Sequence, residues 1–330
     1  MRKKLRNRIR VIKLIVFAIV LIYVLMNLSI FILNMHYKNF DYRYIPEPDS
    51  DTRALIIASH HDDEILIAGG YMIKTMQNNG EVYVMFNIYG GAGLENLSDK
   101  VTVNKSSWRE EETVKALGLI GIKEDNILFL TNKDQTGLLD IDNMERNIED
   151  IVSLIKEINP SIIFLAAYEG GHCDHDMTNF AVASAIKKYN ITIPVYESPE
   201  YTRYRSFYEE MLFRLEKFSI IKIRPYPRFL YNTEEEIVTI NMSKEDLELK
   251  KKMLDQYESQ SIDLLRITHN APEIFRPLHE YNYSQPPYEH KDTLIYKICK
   301  IRGKSNCEFF NVCRIPFENI KTVIEGVNSQ

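Results

Sequence analysis

Cysteine is scarce in this chain of 330 residues, four in all, which excludes a fold framed by disulfides. Glycine (13) and proline (12) are too few for a collagen-like or Pro/Gly-rich disordered protein, and 45% hydrophobic content is that of a globular one. Basic charge is short in the body. Beyond residue 13 there are 34 Lys and Arg against 46 Asp and Glu, a net of −12. Phosphate binding needs the opposite surface, so nucleic acid drops out as a partner. Internal repeats and low-complexity tracts are also missing. A dinucleotide fingerprint is absent too: Gly90-Gly91-Ala92-Gly93 follows the second strand candidate, lacks G-x-G-x-x-G spacing and leads into no immediate helix.

The missing cations are gathered at the N-terminus. Residues 1–13 hold seven (Arg2, Lys3, Lys4, Arg6, Arg8, Arg10, Lys13) and no acid. Leu14 to Leu33 follows without a charge, with Asn27 and Ser29 its only polar residues. Twenty residues at about 1.5 Å each make a helix of about 30 Å, enough to cross the hydrocarbon core. A cleaved signal peptide is the nearest rival, but its apolar region spans roughly 7–15 residues and ends in small ones. This run ends at Asn34, Met35, His36 and Tyr37, so we expect a retained anchor. Charge bias around the span predicts a cytoplasmic N-terminus and a body on the far side. The expected division is a basic tail (1–13), an anchor (14–33), a linker (34–52), a main domain (53–265) and an irregular C-terminal extension (266–330).

The body alternates strands and helices. Apolar runs at Ala54–Ser59, Val82–Ile88, Ile127–Leu130 and Ser161–Ala167 have strand length, with Val195–Tyr196 and Ile220–Ile223 as weaker candidates. Helical patterns run from about Glu64 to Asn79, Ser107 to Leu117, Asn143 to Ile158, Asp176 to Lys188 and Ser243 to Ser261, the last with a Ser N-cap. Such alternation predicts an α/β fold: a Rossmann-like, mostly parallel sheet with helices on both faces. Ligands of such sheets bind at the carboxyl ends of the strands.

Two clusters occupy that position. Ser59-His60-His61-Asp62-Asp63-Glu64 follows the first strand, and Gly170-Gly171-His172-Cys173-Asp174-His175 follows Ser161–Ala167. Four of the eight histidines fall in these stretches. His60 and Asp63, three apart at a helix start, can turn to one point. Imidazole nitrogen and carboxylate oxygen suit zinc or another borderline divalent ion. The competing reading, acids gathered at a helix N-terminus by its dipole, accounts for Asp62, Asp63 and Glu64 but not for two histidines. A third ligand from the second cluster would give two His and one Asp with a position open to water, the pattern of a catalytic zinc. Cys173 is an alternative ligand.

At this point the sequence resembles the PIG-L/LmbE-like zinc-dependent de-N-acetylases. HHDDEILIAGGYMIKTMQNNG is similar to their (A)HPDDE…GG…G signature, and HCDH to their HPDH. Trp108-Arg109-Glu110-Glu111-Glu112 with Ala116-Leu117-Gly118 resembles the R-x-x-E…A…LG helix. Leu130–Asp134 resembles a short segment ending in a substrate-side Asp, and Lys252–Gln260 a late K…[HY]-x-S-Q element. His61 and Cys173 replace the proline of each metal motif. The resemblance implies His60, Asp63 and His175 as zinc ligands and Asp62 as general base. It also implies His172 as oxyanion donor, held charged by Asp174, and Arg109 and Asp134 as groups for sugar hydroxyls or a phosphate. An ion pair at a helix start is the alternative for Arg109 and Asp134. The family's eukaryotic members act on the cytosolic face, against the charge bias of this chain.

The expected function is therefore membrane-anchored, zinc-dependent removal of acetyl from an N-acetylated amino sugar on a lipid-linked or surface glycan. Another N-acyl small molecule, or glycan binding without catalysis, are the alternatives. Asp62 speaks against the last, since a binder needs no base beside the metal. Cys299, Cys307 and Cys313 leave one disulfide open, with Cys307–Cys313 the nearest pair.

Overall fold

The computed structural model describes residues 2–38, 43–87, 102–130, 141–169, 173–200, 236–259 and 273–283, with short pieces at 212, 215, 218–221 and 229. Helix α1 (Arg2–Lys38) contains the apolar run, and Ile9–Met35 is long and apolar enough to cross a membrane. Almost all of its side chains between Ile9 and Leu25 are exposed, unlike those of a core helix.

Eight strands follow: β1 (Arg43–Tyr44), β2 (Arg53–Ala58), β3 (Glu81–Phe86), β4 (Ile127–Phe129), β5 (Ile162–Ala166), β6 (Val195–Ser198), β7 (Val238–Thr239) and β8 (Ile274–Pro277). They lie in one sheet in the order β1-β7-β8-β6-β5-β2-β3-β4. The five strands β2–β6 pair in parallel throughout, and β8 joins antiparallel to both β6 and β7. The helices interleaved with them are α2 (Asp63–Gln77), α3 (Thr102–Gly118), α4 (Ile141–Ile158), α5 (Cys173–Lys188) and α6 (Lys244–Leu254).

Continuous apolar strands make sense once both faces are covered. Ala54, Ile56 and Ala58 of β2, with Phe164 of β5, pack under α2, α3 and α6. Their neighbours Leu55, Ile57, Ile163 and Leu165 point the other way, onto Met144, Ile148 and Ile151 of α4 and Phe180 and Ala181 of α5. The period of two in a strand thus feeds two cores at once.

Several boundaries differ from the sequence reading. Helix α3 begins at Thr102, not Ser107, and α5 takes in Cys173–His175 as its first turn. Helix α6 stops at Leu254, well short of Ser261. Its start is as expected and completed by a capping box, in which Ser243 and Asp246 each accept from the other's backbone N–H. Ile220 and Ile221 lie in no strand, and residues 222 and 223 are outside the described residues. Strand β8 comes from a stretch read as irregular.

Helix α2 breaks its own ladder at Ala68 (φ −147°, ψ 32°), just before Gly69-Gly70. The Gly70 N–H donates to Glu273 Oε1 at 2.6 Å, and that same oxygen is paired with the buried Lys250 ammonium. A Cβ on Gly70 would stand 2.3 Å from Met242 Sδ and 2.9 Å from Glu273 Oε2. The double glycine is therefore a close approach of backbone to a buried ion pair.

Candidate active site

Strand order reverses between β2 and β5, since β2 continues to β3 and β4 on one side and β5 to β6 on the other. That is the switch point where open α/β sheets bind ligands. The loops leaving these two strands carry the two histidine clusters.

His60 precedes α2, and Asp63 is its first residue. Asp63 Oδ2 accepts from the His60 backbone N–H at 2.7 Å, a local turn that brings the two side chains together. From β5, the first turn of α5 presents His175. Three atoms then meet: His60 Nδ1 to His175 Nε2 is 3.2 Å, His60 Nδ1 to Asp63 Oδ2 is 3.3 Å, and His175 Nε2 to Asp63 Oδ2 is 3.2 Å. Neighbouring ligand atoms of tetrahedral zinc, with bonds of about 2.0–2.1 Å, are about 3.3 Å apart. The near-equilateral triangle is one face of such a tetrahedron, and the group could hold a metal ion.

Each histidine is backed by a carboxylate on its far side. Asp174 Oδ2 lies 2.8 Å from His60 Nε2, and Glu200 Oε2 lies 3.0 Å from His175 Nδ1. Glu200, just past β6, is set by its own backbone N–H, which donates to Glu169 Oε1 at 2.5 Å. Such partners fix the tautomer and ring orientation of metal-binding histidines. Below them runs a buried polar chain. Ser59 Oγ donates to the Asp174 carbonyl at 3.2 Å and lies 3.0 Å from Thr178 Oγ1. Thr178 Oγ1 accepts from Asn87 Nδ2 at 3.0 Å, and Asn87 Oδ1 from Asn147 at 2.6 Å.

The electrostatics favour a cation. Burial would keep the His60 imidazole neutral, but Asp174 and Asp63 override it and push it up to about 9. His175 likewise rises well above its ordinary value against burial, through Asp63 and Glu200. Burial also opposes ionisation of Asp63, yet the two imidazoles hold its carboxyl well below the usual carboxylate range. Asp62 goes the other way: burial, then Asp63 and Glu64, push it well above that range. Its backbone is in the left-handed region (φ 98°), which a non-glycine residue adopts only under constraint, and its side chain makes no capping bond to α2.

Arg109 sits inside α3, not at its start, and is buried within electrostatic reach of Asp62, Glu112 and Asp63; burial lowers its pKa and these acids oppose that. The other histidine of the first cluster does not reach the site. His61 is fully buried, stacked on Phe86 (4.7 Å between ring centroids) and Phe129 (5.5 Å). Burial, aided by Arg109 and His60, lowers its pKa to about 3, so the ring is neutral. Core packing therefore accounts for one of the two histidines that the helix-dipole reading left unexplained.

Two weaker motifs prove to be braces. Tyr257 OH donates to the buried Glu64 carboxyl and lies 3.3 Å from Thr113 Oγ1. Ser259 donates through N and Oγ to Glu112, at 2.8 and 2.6 Å. The late element thereby ties the first metal motif to α3. His172, Asp134, Gly90–Gly93, Gln260, Cys299, Cys307 and Cys313 lie outside the described residues. The contact described for Asp174 is with His60. Glu200 went unnoticed in the sequence; its one signal is a carboxylate just beyond a strand at the same edge.

Among solved structures the chain is similar to the A40926 pseudoaglycone deacetylase Dbv21 (20% identity, TM-score 0.49, covering 68% of this chain and 96% of that one). It is also similar to a deacetylase of teicoplanin biosynthesis (20%, TM-score 0.48, 68% and 97%). A third is the N,N'-diacetylchitobiose deacetylase from Pyrococcus horikoshii (18%, TM-score 0.45, 74% and 90%). No curated protein sequence matches the chain. Residues 55–186, from β2 to α5 and spanning both histidine clusters, match the PIG-L family model, described as GlcNAc-PI de-N-acetylase.

Proposed function

We propose that this protein is a membrane-anchored, zinc-dependent hydrolase that removes acetyl from an N-acetylated amino sugar on a lipid-linked or surface glycan. The observation that carries the reading is the His60–Asp63–His175 triangle with Asp62 next in the chain. The PIG-L match adds the reaction class.

His60, Asp63 and His175 would hold the ion. A divalent metal there supplies Lewis acidity and makes bound water a nucleophile near neutral pH. The protein's own residues do the rest. Asp62 takes a proton as water adds to the acetamide carbonyl. When the C–N bond breaks, acetate leaves and the sugar amine keeps a proton returned by Asp62. His172 is the expected donor to the carbonyl oxygen. Arg109 and Asp134 are the expected holds on hydroxyls or a phosphate. Asp174 and Glu200 fix the two imidazoles. The seven cations before the apolar run support a cytoplasmic N-terminus with the domain on the other side.

The test is acetate release from a panel of N-acetylated amino sugars by the purified full chain, before and after chelation and zinc add-back. We expect at least one substrate to be hydrolysed and chelation to abolish it. Zinc-loaded protein that releases acetate from none of them refutes the reading.

A further inference from the structure

Helix α1 does not stand alone. Asn27, one of the two polar residues in its uncharged run, is buried. Its Oδ1 accepts from Ser219 Oγ at 2.7 Å and from the Ile220 backbone N–H at 3.1 Å, while its Nδ2 donates to the Tyr23 carbonyl at 2.9 Å. One turn on, Ile30 packs against Leu212, with Met26, Leu33 and Ile221 around them. Asn27 stands six residues inside Leu33, so this contact lies about 9 Å along the helix from the end of the apolar run. Half of the hydrocarbon core is about 15 Å. Whatever binds Asn27 therefore meets α1 below the surface of one leaflet.

The apolar side chains beside these contacts are nonetheless open. Ile220 is 79% exposed and Phe218 61%. In water that would be a costly display; in acyl chains it is the expected one. The Asn27–Ser219 bond belongs to the same setting, since polar side chains within hydrocarbon pair with one another across elements. The flanking sequence agrees. Arg214, Lys217, Lys222, Arg224 and Arg228 surround Phe218–Ile221 with Glu216 the only acid, inside a body whose net charge is strongly negative. An apolar tip between cations matches a bilayer with anionic headgroups.

We propose that residues 218–221 form a second membrane contact, entering one leaflet beside α1 with Ile220 and Phe218 against the acyl chains. This rests on the reading that α1 lies in the bilayer. Two points of contact, unlike one, hold the catalytic domain at a fixed tilt to the membrane.

The test uses the full chain in vesicles of phosphatidylcholine and phosphatidylglycerol. Trp108, the single tryptophan, is changed to Phe, and one new indole is introduced by Ile220→Trp, by Phe218→Trp or, as a control, by Leu21→Trp. Lipids brominated high in the acyl chain should remove most of the emission at positions 220 and 218, and that at position 21 should also fall with bromine near the midplane. Quenching at 21 but at neither 218 nor 220 overturns the second contact and leaves the anchor in place. Loss of quenching at all three overturns both. Indoles at 218 and 220 shielded from bromine and from an aqueous quencher alike would place a second copy of the chain there, which also overturns it.

Discussion

The carboxylates behind the two histidines make the sharpest prediction. Asp174→Asn and Glu200→Gln keep a side chain of the same shape within reach of the imidazole and remove only the charge. A unit charge about 3 Å away, at an effective dielectric near 20, interacts by about 5 kcal/mol before solvation is counted. The amide retains part of the hydrogen bond, and loss of such a partner typically costs about 10–100-fold in metal affinity. Exposure ranks the two. The Asp174 side chain is 25% exposed and screened by water, whereas Glu200 is 3% exposed. We expect zinc affinity to fall about tenfold for Asp174→Asn and about a hundredfold for Glu200→Gln, or about 1.4 and 2.7 kcal/mol. Competition between the full-length apoprotein and a fluorescent zinc chelator measures this, with thermal melting of each apoprotein as the check on folding. Affinities equal to that of the unmodified protein, or the reverse order, would refute the assignment of both carboxylates as supports for metal ligands.

Asp62→Asn should keep zinc yet lose turnover by about 10²-fold or more, and near-normal deacetylation would remove Asp62 from the role of base. Gly70→Ala drives a methyl into Met242 and Glu273, and should cost about 1–3 kcal/mol in denaturant unfolding, with no change meaning that Met242 simply moves aside. Asp246 accepts from Lys74, Gln77 and Ser243, which against burial lower its carboxyl from 3.8 to about 2. Because the folded pKa is the lower one, its stabilisation is complete above pH 3.8 and lost as pH falls through about 2. Acid titration of unfolding free energy should therefore show a step in that window that Asp246→Asn removes. Protease added to intact cells should digest the domain if it lies outside, and protection that ends only on lysis would place it in the cytosol.

Much of the molecule was legible because its signals are local. Apolar runs of strand length separated by helical patterns gave the sheet, and clusters placed right after β2 and β5 gave the edge where chemistry gathers. Less local features were not. Helix α3 starts early although Thr102–Ser106 has little apolar periodicity to mark it. Strand β8 is four residues with an arginine and a proline among them, and it exists because β6 and β7 supply partners, not because Ile274–Pro277 prefers to be extended. Which of two adjacent histidines turns inward cannot be read from composition; for His61 it is decided by Phe86 and Phe129, which come from β3 and β4. Glu200 was hidden for the same reason. A lone carboxylate means little until a histidine 25 residues earlier in the chain is placed 3.0 Å from it.

The triangle joins positions 115 residues apart. In the unfolded chain His60 and Asp63 are neighbours but His175 is remote, and bringing it back costs loop-closure entropy of about 4 kcal/mol. Only when β5 docks against β2, with Ile57 beside Leu165, are all three donors together. An ion that needs three donors thus discriminates sharply between the assembled sheet and every earlier species. Its binding adds to the stability of the native state alone, by an amount that grows with the logarithm of free metal. On the proposed metal reading, assembly of the sheet precedes loading, and the unfolding temperature should rise with the supply of ion.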